Sequence, residues 1–504
     1  MFKNISHINN LKLKKFFIEL VELHIKLIDA FVIKNNIKYK ECALNKKVVD
    51  RLIDLEIIKE KEELEGLKKM LKEDLFNSFI SSINFSNKHK EKIGDLLFKL
   101  EPKKRKEKQL NEKRSKKPVV VDFFSGAGGL SLGFTQEGYK IDFANDFEDV
   151  CVQTYKYNHP EVPENRVIQG DIRGLVNDIN NHIKKDIDVI VGGPPCQGFS
   201  SANQQRIIDD PRNELYKYFI QMVQTILPKF VVMENVRGML PYADQIVEDY
   251  NTIKVKKQSG ILTYNVAYSI LISDDFGVAQ RRQRLFFIAI RSDISKELDI
   301  TPENIFSQIK KSTQNNKKHI LQDALDFIKP LDSPRVKNMT NIDDENTGKK
   351  VFANKFNGNE NSYLKLINQN RKINYIYNHK ARYANEINYQ IYDRLEPGED
   401  ATSDKIKDIM PYKHRNHVFK DKYYKLIPTK PSRTITAHLR MDCHSHIHPS
   451  QTRSITPREA ARIQSFPDDY LFLGAYLKTY MQIGNAVPPM MARGIAKIIK
   501  KHIN

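Results

Sequence analysis

Cys196 stands in the run Gly192-Gly193-Pro194-Pro195-Cys196-Gln197-Gly198-Phe199-Ser200, directly after two prolines. The apolar Val189-Ile190-Val191 before it reads as a buried strand of a parallel sheet. Ligands of such sheets bind beyond the carboxyl ends of the strands. A cysteine on a turn stiffened by two prolines is thus placed where α/β enzymes do chemistry. Its thiolate would be a nucleophile. The competing reading is a buried, inert cysteine, since free Cys packs as a small hydrophobe.

Other residues of chemical type follow strand-like runs. Val119–Phe123 leads into Phe124-Ser125-Gly126-Ala127-Gly128-Gly129-Leu130. A glycine-rich turn after a first strand lets a nucleotide approach the backbone. The run lacks the third glycine of a dinucleotide fingerprint, where Ser131 stands, and the Lys-Ser/Thr of a P-loop. It therefore suits a nucleoside without a phosphate cradle, such as S-adenosyl-L-methionine, or serves only as a tight turn. Asn145-Asp146-Phe147 offers a carboxylate for ribose hydroxyls and an aromatic ring for adenine. Gly170-Asp171-Ile172 offers another carboxylate, for an exocyclic amine. Either aspartate alone is also ordinary turn chemistry. Glu234 falls just past a further strand, where a carboxylate can move a proton. In Gln280-Arg281-Arg282-Gln283-Arg284, residues 280, 282 and 284 share a face if extended. The two arginines could hold a phosphate or a base carbonyl, or form a solvated basic turn.

The elements that must position these groups are legible as texture. Strand candidates are Val119–Phe123, 140–144, 188–191, 230–233, Tyr264–Ile272 and 285–290, alternating with helical stretches. That alternation predicts a doubly wound α/β domain. Residues 1–101 read as helices, through Phe16, Phe17, Leu20, Leu23, Leu27 and Phe31, then Leu52, Leu55, Ile58 and Leu64. Residues 102–117 are lysine-rich and read as a solvated linker or a basic arm on DNA. From about 292 to 430 the chain is polar and irregular, like an inserted second domain, and apolar periodicity returns at 456–466 and 490–499. The predicted organisation is an N-terminal extension over 1–117, a catalytic part over 118–291, a second domain over 292–475 and a return over 476–504.

Composition narrows the class. The 504 residues carry 82 Lys+Arg against 62 Asp+Glu, a net charge of +20, which points to a polyanion, with nucleic acid before anionic membrane. A lysine-rich proteome would produce the same bias. The four cysteines, Cys42, Cys151, Cys196 and Cys443, form no CxxC, so neither a disulfide framework nor a zinc ribbon is expected. Cys443, His444, His446 and His448 invite a zinc reading, but alternating polar residues on a strand before Pro449 explain them as well; no metal is expected. No apolar run reaches a membrane span and no signal peptide is read, so a cytoplasmic, nucleoid-associated protein is expected.

These segments, in this order, resemble the DNA cytosine-5 methyltransferase family. The matching residues are Asp122 through Gly129, Gly193-Pro194-Pro195-Cys196-Gln197, Glu234-Asn235-Val236 and Gln280 with Arg282 and Arg284. They continue with Arg458-Glu459-Ala460-Ala461-Arg462, Phe466-Pro467 and Gln482-Ile483-Gly484-Asn485-Ala486-Val487-Pro488-Pro489. The resemblance covers about 118–290 and 430–495. It implies an S-adenosyl-L-methionine-dependent, Rossmann-like domain with a smaller target-recognition domain. It implies a cofactor site of Phe124, Ser125, Gly126, Gly128, Gly129, Leu130, Asp146, Phe147, Asp171, Ile172, Pro194, Leu215, Asn485, Ala486 and Val487. The last three would bring the C-terminal helices back beside the first strand.

By the same resemblance Cys196 attacks C6 of cytosine, Glu234 acts at ring N3, and Arg282 and Arg284 hold the base carbonyl and nearby backbone. The product would be S-adenosyl-L-homocysteine. The target base must leave the duplex, and residues 197–209 would close over it as a loop. Residues 292–430 would read sequence, with candidate readers in 378–383, 413–417 and 430–433. The expected partner is double-stranded DNA, bound by a monomer, in a bacterial restriction–modification setting with a cognate endonuclease that need not bind. An RNA-directed relative is disfavoured because the Cys-Phe-Thr tripeptide is missing, and a catalytically dead homologue because Cys196, Glu234 and the arginines are intact. The target sequence and the role of 1–117 are not read from the chain.

Overall fold

The computed structural model describes residues 1–39, 42–195, 214–258, 260–353, 360–371, 373–411 and 422–503. Cys196, residues 197–209 and the candidate readers 413–417 lie outside them. The core is one seven-stranded sheet with order β3-β2-β1-β4-β5-β9-β8. Its parallel members are β1 (Val119–Phe123), β2 (Lys140–Asp146), β3 (Val167–Gln169), β4 (Val189–Gly192) and β5 (Phe230–Val236). A small hairpin, β6 (Val255–Lys257) and β7 (Gly260–Leu262), precedes the antiparallel pair β8 (Tyr264–Ile272) and β9 (Gln283–Arg291). β9 joins the parallel half beside β5. The apolar runs form strands buried on both faces, as crossover helices require.

On one face lie α7 (Gly129–Gln136), α8 (Asp149–Asn158), α14 (Pro302–Thr313) and α20 (Pro489–Lys500), sharing a core with Val120, Val191 and Phe286. On the other lie the short α9 (Ile172–Leu175) and α10 (Ile179–His182), then α11 (Leu215–Ile226) and α12 (Ala243–Asn251), around Val121, Met233 and Phe287. α13 (Ser292–Glu297) and α14, which texture groups with the recognition domain, instead place Ile294, Ile305, Phe306 and Ile309 in the sheet's core. The chain order reverses between β1 and β4, so the ligand crevice belongs beyond their carboxyl ends.

The second domain holds α15 (Leu321–Leu325), α16 (Ser362–Ile367), α17 (Glu386–Arg394) and the antiparallel pair β10 (Gly348–Ala353) and β11 (Tyr375–Lys380). α18 (Pro457–Ile463) and α19 (Tyr476–Asn485) join it to the sheet, through a core that includes Ala127, Phe466 and Ile483. Candidate readers 378–382 serve structure here. Asn378 exchanges hydrogen bonds with the Phe472 backbone, and Arg382 donates to the carbonyls of Leu439 and Met441.

The N-terminal helices are α1 (Leu11–Asn35), α2 (Lys46–Asp54), α3 (Leu64–Leu71), α4 (Glu73–Lys88), α5 (Lys90–Leu97) and α6 (Pro102–Arg114). They close a core of their own that also takes in Tyr157, Val351, Tyr377 and Leu471. Two expectations change. The pattern through Leu52 and Leu64 is not one helix; the chain turns at Glu56, with φ +60. Residues 102–114 are helix rather than linker, because Arg105 is buried and donates to the carbonyls of Lys99 and Lys156. That helix meets the far end of α8 and runs into the start of β1, at the sheet end opposite the crevice. A basic arm into the crevice is not what it forms.

Candidate active site

β1 ends in a strained turn. Phe124 is in the left-handed region at φ +54, and Gly126 follows at φ +54 with open space where a Cβ would point. Non-glycine residues hold such a conformation only when surrounding bonds enforce it, and they cluster at ligand sites. Here Ser125 donates its N–H to the Asn145 carbonyl, and Gly126 donates to Asp146 Oδ2 at 2.8 Å. The other Asp146 oxygen accepts from the Glu148 N–H at 2.8 Å. Burial lifts the Asp146 carboxyl to about 6. Phe147, next in the chain, is 66% exposed, an unusual position for a phenyl ring unless something covers it. Asn145 is buried and donates to the carbonyls of Ile168 and Gly170, which fixes the turn carrying Asp171 and Ile172. Asp171 caps α9 and pairs with the exposed Arg173.

The opposite wall comes from the chain's return. Gly129 abuts the Val487 carbonyl so closely that a Cβ would overlap it. Ala486 and Val487 are buried beside the turn, and Asn485 is exposed at the end of α19. Leu130 is buried at the start of α7, and Leu215 is half-buried at the start of α11.

The Pro-Pro turn leaves β4 next to β5. A Cβ on Gly193 would lie 3.0 Å from Glu234 Oε2, so glycine there allows the turn to lie against that carboxylate. Asn235 Nδ2 donates to the Pro194 carbonyl at 3.2 Å. Glu234 Oε1 pairs with Arg284 Nε at 2.8 Å, and both side chains are largely buried. Gly193 and Pro194, three and two residues before Cys196, are therefore held against Glu234 and Asn235, with the Glu234–Arg284 pair beside them. Of the other cysteines, Cys151 and Cys443 are buried, and burial pushes both thiols up, away from thiolate character.

Gln280 and Arg282 do not join that pair. Gln280 Oε1 accepts from the Ile435 N–H at 2.7 Å, and Arg282 donates to the carbonyls of Ile435, at 2.6 Å, and Gly484, at 2.9 Å. Together they grip both polar groups of one residue and leave Arg282 1% exposed. Of the roles expected for the two arginines, Arg282 takes the backbone one: its two terminal nitrogens hold main-chain carbonyls. Sequence reasoning also missed Gln464, which links Gln280 to the Ile483 and Ala486 carbonyls. It missed Tyr470 as well, which donates to the Ala127 carbonyl under the glycine turn. Both lie in the motif after Arg462, and nothing in their own types signals a partner so far away in sequence.

The residues fit a nucleoside cofactor without phosphates. Ser125 Oγ and Asp122 Oδ1 are buried with no hydrogen-bond partner among the described residues. The turn has a glycine opening at Gly126, an acidic floor at Asp146 and an exposed ring at Phe147. Among the described residues no group of three or more His, Cys, Asp or Glu is arranged to hold an ion. Also among them, no helix is long and apolar enough to cross a membrane.

Fold and site define a Rossmann-like α/β methyltransferase. The model of C-5 cytosine-specific DNA methylases matches residues 119–501, and the chain belongs to that family of enzymes. It is 32% identical over 399 residues to the type II methyltransferase M.DdeI of Desulfomicrobium norvegicum, covering 75% of this chain and 88% of that one. It is 31% identical over 387 residues to the type II methyltransferase M1.HphI of Haemophilus parahaemolyticus, covering 76% and 87%. Among solved structures, a prophage-encoded E. coli protein assigned as a DNA modification methyltransferase superposes with a TM-score of 0.58 at 27% identity, covering 76% of this chain and 99% of its own.

Proposed function

We propose that this enzyme methylates C5 of a specific cytosine in double-stranded DNA, by covalent attack of Cys196 on C6 of a base flipped out of the duplex. The observation that carries the reading is the Gly193-Pro194 turn, two residues before Cys196, lying against Glu234 and its partner Arg284. C5 of cytosine is too weak a nucleophile to take a methyl group unaided. Attack of the Cys196 thiolate on C6 makes the ring enamine-like and C5 reactive. Glu234, held by Arg284, keeps a proton at ring N3 and offsets the charge that builds there. Arg284 is placed to reach the base carbonyl, and Arg282 positions the strand from behind. Loss of the C5 proton then expels Cys196. Flipping costs a few kcal/mol, and the flipped base is held only if such polar groups await it.

S-adenosyl-L-methionine, when bound, supplies an electrophilic methyl group and becomes S-adenosyl-L-homocysteine. Phe124, Ser125, Gly126, Gly128, Gly129 and Leu130 would line one side of it. Asp146 and Phe147 would take the ribose and adenine, with Asp171, Ile172, Pro194 and Leu215 around the base. Asn485, Ala486 and Val487 would close the other side. The type II relatives support a role as the methylase of a restriction–modification system, protecting cytoplasmic DNA from a cognate endonuclease.

The test is DNA containing 5-fluorocytosine. Fluorine at C5 cannot leave as a proton does, so the covalent adduct persists and its peptide can be sequenced. The expected result is a stoichiometric adduct on Cys196 that needs the cofactor. An adduct on Cys42, Cys151 or Cys443, or methylation of RNA but not duplex DNA, would overturn the reading.

A further inference from the structure

The family match begins at residue 119, so the helices before it need their own account. α1 carries polar side chains at Lys12, Glu19 and Lys26, in heptad spacing. That spacing is about two turns, so the three share one face and follow one another at about 10 Å. Each is bound to a different part of the molecule. Lys12 Nζ donates to Gln169 Oε1 at 3.0 Å and lies 3.2 Å from Asp149 Oδ1. Gln169 in turn donates to the Phe147 carbonyl at 3.3 Å. Glu19 Oε1 accepts from the Gly474 N–H at 2.7 Å and from Lys350 Nζ at 2.6 Å. Lys26 pairs with Asp343 at 2.8 Å.

The first of these contacts reaches a wall of the crevice, and the second reaches the turn that leads into the other. Phe147 and Asp149 belong to the β2–α8 wall. Gly474, with φ +92 and packed on Val150, opens the turn into α19, which ends at Asn485 on the opposite wall. Asp343 and Lys350 belong to the recognition domain.

We propose that α1 is a strut that ties the start of the β2–α8 wall to the turn entering α19, with Lys12 and Glu19 as positioning residues for cofactor binding. The inference rests on the cofactor site proposed above. Lys12 is half-exposed and its pair counts for little alone. Glu19 is less exposed and makes a charge-assisted bond to a backbone N–H, the stronger kind.

The experiment titrates S-adenosyl-L-homocysteine into the full chain by calorimetry without DNA. Glu19→Ala is expected to raise the dissociation constant about three- to tenfold, and Lys12→Ala about twofold. Glu19→Gln keeps an acceptor for the Gly474 N–H and should recover most of the loss. At saturating cofactor, kcat should stay within about twofold of the parent, so the effect falls on KM. A purely structural helix would instead lower the melting temperature and leave the dissociation constant unchanged, and that result would overturn the proposal. Lys12→Ala, on the surface, keeps the test open if Glu19→Ala fails to fold. Phe147→Ala separates the two readings. If it binds like the parent, the cofactor site itself is misplaced; if it binds weakly while the α1 variants bind normally, only the strut fails.

Discussion

Glu234 and Asp146 are both acidic residues at strand ends, and their surroundings prepare them for different tasks. Glu234 is clasped by Arg284 and faces the proline turn. Glu234→Gln should lower kcat by about 10²- to 10³-fold, the usual cost of one preorganised transition-state contact, with little change in cofactor affinity. Tritiated methyl transfer to DNA measures it, and a wild-type rate would remove Glu234 from the mechanism. Cys196→Ser should abolish transfer while cofactor binding survives; a serine variant working at the parent rate would refute the covalent route. Asp146 sits near a pH switch, since burial lifts its carboxyl to about 6. The proposed ribose hydroxyls would donate to the ionised form. Cofactor affinity should therefore hold above pH 6 and weaken as pH falls through that value, and Asp146→Asn should flatten the dependence. Calorimetry between pH 5 and 8 gives the answer, and a constant affinity in the parent would count against the ribose contact. Arg282 and Arg284 show what residue types cannot reveal. They are two apart and chemically equal, yet one meets Glu234 and the other meets carbonyls of residues 435 and 484. Only the return of distant chain tells them apart.

At the level of elements, the strands were legible because each is an apolar run between turn residues. Val119–Phe123 and Tyr264–Ile272 were read with their observed limits. The site turns were legible because glycine, proline and aspartate follow those runs. One element escaped, and the surroundings of another were not legible. α6 has no apolar stripe, and it is tied to the fold by buried Arg105, held by the Lys99 and Lys156 carbonyls, and by Gln109, which donates to the Pro160 carbonyl. α18 falls in the apolar periodicity at 456–466, yet its charged residues are buried with the rest; Arg458 donates to the carbonyls of Tyr377, Pro467 and Tyr470, and the other two are ion-paired. Arg453 holds Glu459 through two bonds, at 2.8 and 2.6 Å, and Arg462 holds Asp468. Removing one member strands the other in the interior. Glu459→Gln should cost about 3–5 kcal/mol, read from chemical denaturation. A loss below 1 kcal/mol would mean that water or a relaxed Arg453 makes good the missing charge.

For the whole molecule, acidity should act through histidine. Burial lowers His24, His446 and His448 to about 3 and His379 and His444 to about 4. An unfolded histidine titrates near 6.5. Below that value the unfolded chain binds protons that the folded one refuses, so stability is full above about pH 6.5 and is lost as pH falls toward 4. The Arg-held Glu459, kept well below the usual carboxylate range, adds loss in the same direction at lower pH. Melting temperature should fall steadily from pH 7 to 5; a flat profile would mean that the histidines open to water before the fold does. The net charge of +20 sets a second, independent dependence. KM for DNA should climb steeply between 50 and 200 mM salt, while affinity for the small cofactor barely moves.

The closing of the sheet by its own tail also fixes when the enzyme can exist. Tyr139, beside the first two strands, donates to the carbonyl of Ala496, 357 residues later. Translation at bacterial speeds takes about 20–70 s to cover that distance. Until then the glycine turn lacks the Val487 carbonyl that packs on Gly129, and the proposed cofactor site stands open on one side. A chain released before α20 should therefore bind no cofactor, an inert product rather than an enzyme of relaxed specificity.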